Sequence, residues 1–194
     1  TTKTKQTKQV MKKIIIAAAA IVSFASAANA QNASGNAQQT VQLALSNALE
    51  ITFVSGNSAT GATVALPFTT VDDYQNGVES TTQQLKVRSN KDFNVTVKTS
   101  GANFMVTNGS NTSTSNMPTS VLGLVVTQNG TGGQLGQGFS TSSYKSLSSS
   151  AANLITNADN GGNQTFTVKY KATPGFSYPA GTYTTDVIYT ATQQ

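Results

Sequence analysis

Few residues in this 194-residue chain could do chemistry, and they are of few kinds. It has no histidine and no cysteine. The commonest general base and metal ligand are therefore missing, as are thiol nucleophiles, zinc–thiolate sites and disulfides. Asp72, Asp73 and Glu79 form the one acidic cluster. Such carboxylates could hold Ca²⁺ or work as an acid–base pair. They match no calcium-loop spacing, and adjacent aspartates on a strand point to opposite faces, so a solvated loop is the expectation. Asp159-Asn160-Gly161-Gly162-Asn163 lacks the alternating ligands and closing glutamate of a calcium loop and reads as a turn. Gly130-Thr131-Gly132-Gly133 has no Gly-Lys-Ser/Thr to cradle a phosphate. Ser142, Ser143 and Ser148–Ser150 have only Lys145 nearby in sequence to activate them. No catalytic residue, metal site or cofactor is expected.

Two sets of residues could instead bind. Tyr74, Tyr144 and Tyr178, with Phe176, fall in or beside loops, where rings can stack on sugars and neighbouring amides can bond hydroxyls. The competing reading is a tyrosine that buries its ring and wets its hydroxyl. Val41, Leu43 and Leu45 alternate with polar or small residues. That period suits the first strand of the protein's own sheet, or a strand donated to a neighbouring subunit.

Elements must position these groups, and charge and composition indicate which. Lys3, Lys5, Lys8, Lys12 and Lys13 precede residue 30, with no acid among them. The remaining 164 residues carry 7 basic and 7 acidic side chains, so their net charge is zero. A nucleic-acid partner, which needs a basic face, is not expected. Met11-Lys12-Lys13, the apolar run Ile14–Phe24 and Ala28-Asn29-Ala30 read as a signal peptide over residues 11–30. The apolar run falls short of the about 20 residues that span a bilayer. No membrane span is expected after cleavage, which places the protein in the periplasm, at the cell surface or outside the cell. Residues 1–10 read as an upstream non-native segment, and 31–39 as a flexible polar lead-in.

From Gln31 onward there are 19 Ser, 26 Thr, 16 Asn and 13 Gln, 74 of 164 residues. Ser, Thr and Asn compete with a helical backbone for hydrogen bonds, and β-branched Thr suits a pleated surface. The expectation is all-β: one immunoglobulin-like Greek-key sandwich over residues 40–194, with about 8–10 short antiparallel strands. A closed barrel is the alternative. Leu49, Ile51 and Phe53 alternate as a strand, continuing or following Val41–Leu45. Thr63–Phe68 reads as a short strand, stopped or kinked by Pro67. Leu85 and Val87 pair with Phe93, Val95 and Val97 as a hairpin across Ser89–Asp92. Phe104–Thr107 and Val121–Thr127 are further strands, with Asn108–Ser120 and Asn129–Gly138 as loops. Ser146–Ile155 is the one stretch that admits a helical turn. Phe166, Val168 and Tyr170 alternate, and Tyr183–Tyr189 closes the chain as one strand.

That closing stretch, Tyr178-Pro179-Ala180-Gly181-Thr182-Tyr183-Thr184-Thr185-Asp186-Val187-Ile188-Tyr189-Thr190-Ala191, resembles the end of secreted bacterial immunoglobulin-like sandwiches. It is similar to the spore coat protein U family, to archaic chaperone–usher pilins and to small surface proteins of Bacteroidota. The last group also shows a phrase like Leu85-Lys86-Val87-Arg88-Ser89-Asn90-Lys91-Asp92-Phe93-Asn94-Val95-Thr96-Val97. Export, neutrality, Thr- and Asn-rich strands and the lack of catalytic chemistry point to a non-enzymatic structural or adhesive surface protein, and the resemblance implies a pilin-like one whose partners are copies of itself or other surface proteins. A secreted carbohydrate-binding module, with polysaccharide as partner, is the alternative function. A glycosidase using Asp72, Asp73 or Glu79 ranks below both.

Mass spectrometry of the exported protein should find Gln31 as the mature N-terminus. A mature form that retains Ile14–Phe24 would refute the leader.

Overall fold

Side-chain alternation with a period of two governs residues 36–194, the part of the chain that the computed structural model describes. The upstream segment, the signal peptide and residues 31–35 of the polar lead-in lie outside the described residues. Strands take 49% and helices 6%, so the fold is all-β, an immunoglobulin-like sandwich of antiparallel sheets. Sheet one runs β1 (Leu49–Phe53), β3 (Gln83–Ser89), β11 (Gly161–Ala172), β7 (Leu122–Gly130), β9 (Lys145–Ser146), with β2 (Val78–Glu79) on the end of β11. Sheet two runs β13 (Val187–Gln193), β4 (Phe93–Thr99), β10 (Ala152–Ala158), β8 (Gln134–Leu135). A third sheet orders β12 (Thr182–Thr184), β5 (Asn103–Asn108) and β6 (Asn111–Pro118). The compact unit begins at Leu45; residues 36–44 form no regular element and are exposed.

The core lies between sheets one and two. Leu85, Val87, Phe166, Val168 and Tyr170 enter it from one side, and Phe93, Val95, Val97, Leu154 and Ile155 from the other. All are buried, as the alternation of Phe93–Val97 and Phe166–Tyr170 predicts. Burying each such side chain is worth roughly 1.5–3 kcal/mol. Leu122, Leu124 and Val126 on β7 complete the floor.

Several expectations fail for tertiary reasons. β3 and β4 are not a hairpin, because each belongs to a different sheet. Both strands bury every second residue, and crossing between sheets turns those apolar sides toward each other. The crossing is tied down locally: Ser89 Oγ donates to the Lys91 carbonyl at 2.6 Å, and Ala48 N donates to Asn90 Oδ1 at 2.9 Å. Val41, Leu43 and Leu45 are not strand residues; the strand starts at Leu49. Residues 63–68 form no regular element; Val64, Leu66 and Phe68 pack on the core, yet among the described residues no backbone hydrogen bond pairs them with a strand. The polar run 108–120 is no loop. Most of it is β6, held to β5 where Ser115 Oγ donates to the Phe104 carbonyl at 2.8 Å. Lys145–Ser146 and Ala152–Ala158 are strands, without the helical turn, because Leu154 and Ile155 fill the core from β10. The closing strand breaks at Thr185–Asp186, where Asp186 N donates to Ser100 Oγ at 3.1 Å, so β12 and β13 enter different sheets.

The register yields a stability test. Val97 is 1% exposed, whereas Thr96 points to the outer face and is partly exposed. Val97→Asp should cost more than about 4 kcal/mol by burying an unpaired charge, and Thr96→Asp less than about 1 kcal/mol. Equal urea midpoints for the two variants would overturn the register.

Candidate functional site

The acidic cluster is dispersed by its local structure. Asp72 and Asp73 sit on a six-residue helix, α1 (Val71–Asn76), which the sequence reading missed. Its signal was a capping box: Thr70 Oγ1 accepts from Asp73 N at 3.2 Å while Asp73 Oδ2 accepts from Thr70 N at 2.7 Å. The backbone N–H groups of Thr69 and Thr70 hold the Asp73 carboxyl below its usual pKa. Gly77 ends the helix at φ +79, where a Cβ would lie 2.6 Å from the Ala172 carbonyl. Glu79 stands apart on β2. It accepts from Lys169 Nζ at 2.9 Å and pairs with Lys171 at 3.8 Å. Lys169, then the Tyr144 hydroxyl, keep the Glu79 carboxyl below its usual range. Among the described residues no three acidic groups are placed to hold a metal ion.

The loop aromatics separate into two places. Tyr144 lies beside Glu79 and Lys171, whose Nζ is 6.0 Å from its ring centroid. Burial first, and Glu79 second, push the Tyr144 phenol up to about 12. Tyr74 and Tyr178 meet elsewhere, in a shallow depression of about 380 Å³ shared with Thr69, Thr70, Val71 and Phe176. Tyr74 stacks on Phe176 at 5.7 Å between centroids and leans on Phe68 at 5.3 Å. Phe176 and Val71 are 67% and 71% exposed.

The third feature is a strand edge. Along its whole length β13 pairs with β4 on one side. On its other side lies β1, yet no backbone hydrogen bond joins it to β13 among the described residues. Side chains close this seam. Gln193 Nε2 donates to the Ala48 carbonyl at 2.9 Å, and Phe53 meets Tyr189 edge-on at 6.2 Å. Behind them the hydroxyls of Tyr170 on β11 and Tyr189 on β13 are 2.7 Å apart, a hydrogen bond that ties sheet one to sheet two. By themselves, Val41, Leu43 and Leu45 are 75%, 80% and 89% exposed.

No protein-family model and no curated protein matches the chain. Among solved structures, a family 123 glycoside hydrolase from Clostridium perfringens is similar at 14% identity with a TM-score of 0.31. The match covers 75% of this chain and 25% of that one. A likeness of that degree carries no argument about fold or activity.

Burial pushes the Tyr170 phenol up to about 12 and the Tyr189 phenol well above its usual value. The folded state therefore favours the neutral phenols. Their contribution is complete below pH 10, where unfolded tyrosine begins to titrate, and is lost as pH rises toward the folded pKa values. Above pH 10, stability should fall by about 1.4 kcal/mol per pH unit for each such tyrosine. Urea unfolding at pH 8–11.5 checks this. Tyr170→Phe should reduce the alkaline slope, and a slope unchanged in that variant would count against the pair.

Proposed function

We propose that this protein is an exported, non-enzymatic structural subunit of the cell surface that joins copies of itself by strand addition at the edge of β13 that has no backbone ladder to β1. The observation that carries the reading is the character of that edge. An unpaired strand is a template for another chain, and proteins ordinarily blunt such edges with charge, proline, bulges or brevity. β13 is seven residues long and contains no charged residue and no proline. The other edges are blunted: β8 and β9 are two residues long and β12 three, β1 carries Glu50, and β6 has Pro118 with a register break opposite it.

The matching element is the stretch from Val41 to Leu45. Three exposed apolar side chains at every second position suit a strand that lays one face against a core. Leu49–Phe53 belongs to the subunit's own sheet, so the donated portion is the part before it. Addition of one subunit's segment to the next subunit's β13 is heterologous, and it generates an open fibre. The leader read at residues 11–30 supports export before assembly.

Removing residues 31–45 separates assembly from folding. The truncated mature protein should keep its melting temperature, because the deleted apolar side chains are exposed, but it should stay monomeric. The intact mature protein should form concentration-dependent, head-to-tail oligomers by light scattering and electron microscopy. Ile188→Lys with Thr190→Lys should block acceptance without unfolding, since both side chains face outward. Intact protein that remains monomeric at millimolar concentration, with or without an assembly chaperone, would overturn the reading.

A further inference from the structure

We propose that the depression formed by Tyr74, Phe176 and Tyr178 binds a neutral sugar ring of an extracellular glycan. The site is independent of strand addition at β13.

Three observations lead there. First, the fold keeps a large aromatic side chain in water. Phe176 is 67% exposed beside Val71 at 71%, and exposed apolar patches on a soluble domain mark interaction sites. Second, the patch is held in place. Phe68 buttresses Tyr74, and Tyr74 stacks on Phe176 with 23° between ring planes. The capping box anchors α1, which carries Tyr74, and the Tyr183 hydroxyl donates to the Pro179 carbonyl at 2.9 Å, fastening the loop that carries Tyr178. A rigid platform loses little entropy when a ligand settles on it.

Third, the polar groups select the ligand. Of the six lining residues, four carry a hydroxyl, two are purely apolar and none is charged. Thr69 donates its hydroxyl to Asp73, and Thr70 accepts from Asp73 N, so the first can still accept and the second can still donate. The Tyr74 and Tyr178 hydroxyls have no hydrogen-bond partner among the described residues. Asp72, next to the lining residues in sequence, is exposed. Carboxylates nearby and no cation in the lining disfavour phosphate, sulfate and acidic polymers. A neutral pyranose fits: its C–H face covers an aromatic ring, and its hydroxyls take the remaining donors and acceptors. A volume of about 380 Å³ lies near the small end of ligand sites, roughly 300–1,000 Å³, so a short stretch of glycan fits better than a folded partner.

The test is an NMR titration of the intact mature protein with neutral hexaoses built from glucose, xylose, mannose and N-acetylglucosamine. Tetramethylammonium and inorganic phosphate serve as parallel probes. At least one hexaose should bind saturably with a dissociation constant in the millimolar range or tighter, and shift the Tyr74 and Phe176 resonances. Phe176→Ala should weaken that binding tenfold or more while leaving the melting temperature unchanged, because its ring is mostly in solvent. Tyr74→Phe, which keeps the platform but removes a hydroxyl, should weaken it less. The proposal is overturned by absence of saturable binding to every hexaose, by binding that Phe176→Ala leaves intact, or by binding of tetramethylammonium or phosphate alone. Loss of fibre formation in the truncated protein, with sugar binding retained, keeps this proposal apart from the assembly reading.

Discussion

Two rows of alternating apolar side chains must share one dry layer, and most of the structure follows from that. One row is Leu85, Val87, Phe166, Val168 and Tyr170; the other is Phe93, Val95 and Val97. Because Leu85 and Val87 lie on the strand just before Phe93, Val95 and Val97, the chain has to cross from one sheet to the other at Ser89–Asp92. A hairpin would have placed both rows on one face of one sheet, with half of the core left without a lid. The crossing costs local order, which the Ser89, Asn90 and Asp92 side chains supply through hydrogen bonds to backbone groups.

The same crossing decides where edges fall. β3 takes β1 and β11 as partners, β4 takes β13 and β10, and the two sheets end side by side at β1 and β13 without a ladder between them. Residues 63–68 also lay Val64, Leu66 and Phe68 on the core, with no backbone hydrogen bond to a strand among the described residues. The edges of β1 and β13 are thus joined by side chains and left without a backbone ladder. That combination underlies the assembly proposal.

Polar side chains do more of the structural work than their number suggested. The Tyr170–Tyr189 hydroxyl pair links the sheets through the core, where a phenol without a partner would be costly. Thr99 and Thr119 share a buried hydrogen bond at 3.0 Å. Glu79 and Asp73, which as a sequence pair suggested metal or acid–base chemistry, serve an ion pair and a helix cap respectively. The aromatic patch arises because α1 and the loop after β11 converge, bringing Tyr74 beside residues a hundred positions later.

The amino-acid sequence by itself determined the all-β class, the inward positions of Phe93–Val97 and Phe166–Tyr170, and the lack of histidine and cysteine chemistry. These are local or compositional properties: a strand's period of two marks its buried face wherever its partners lie. The capping box of Thr70 and Asp73 is a signal as local as the others, but a helix of six residues is too short to show a helical period, so α1 was not among them. Which strands pair was settled only by tertiary structure. β3 and β4 read as a hairpin because turn chemistry is local, whereas sheet membership depends on burying both apolar rows together. The Thr- and Ser-rich run at 111–118 became a strand because β5 offered it a ladder, an event that composition does not record. Tyr144 was indistinguishable from Tyr74 and Tyr178 in sequence. The fold alone put it beside Glu79 and gathered the other two with Phe176, because proximity across a sandwich is set by strand order and not by spacing along the chain.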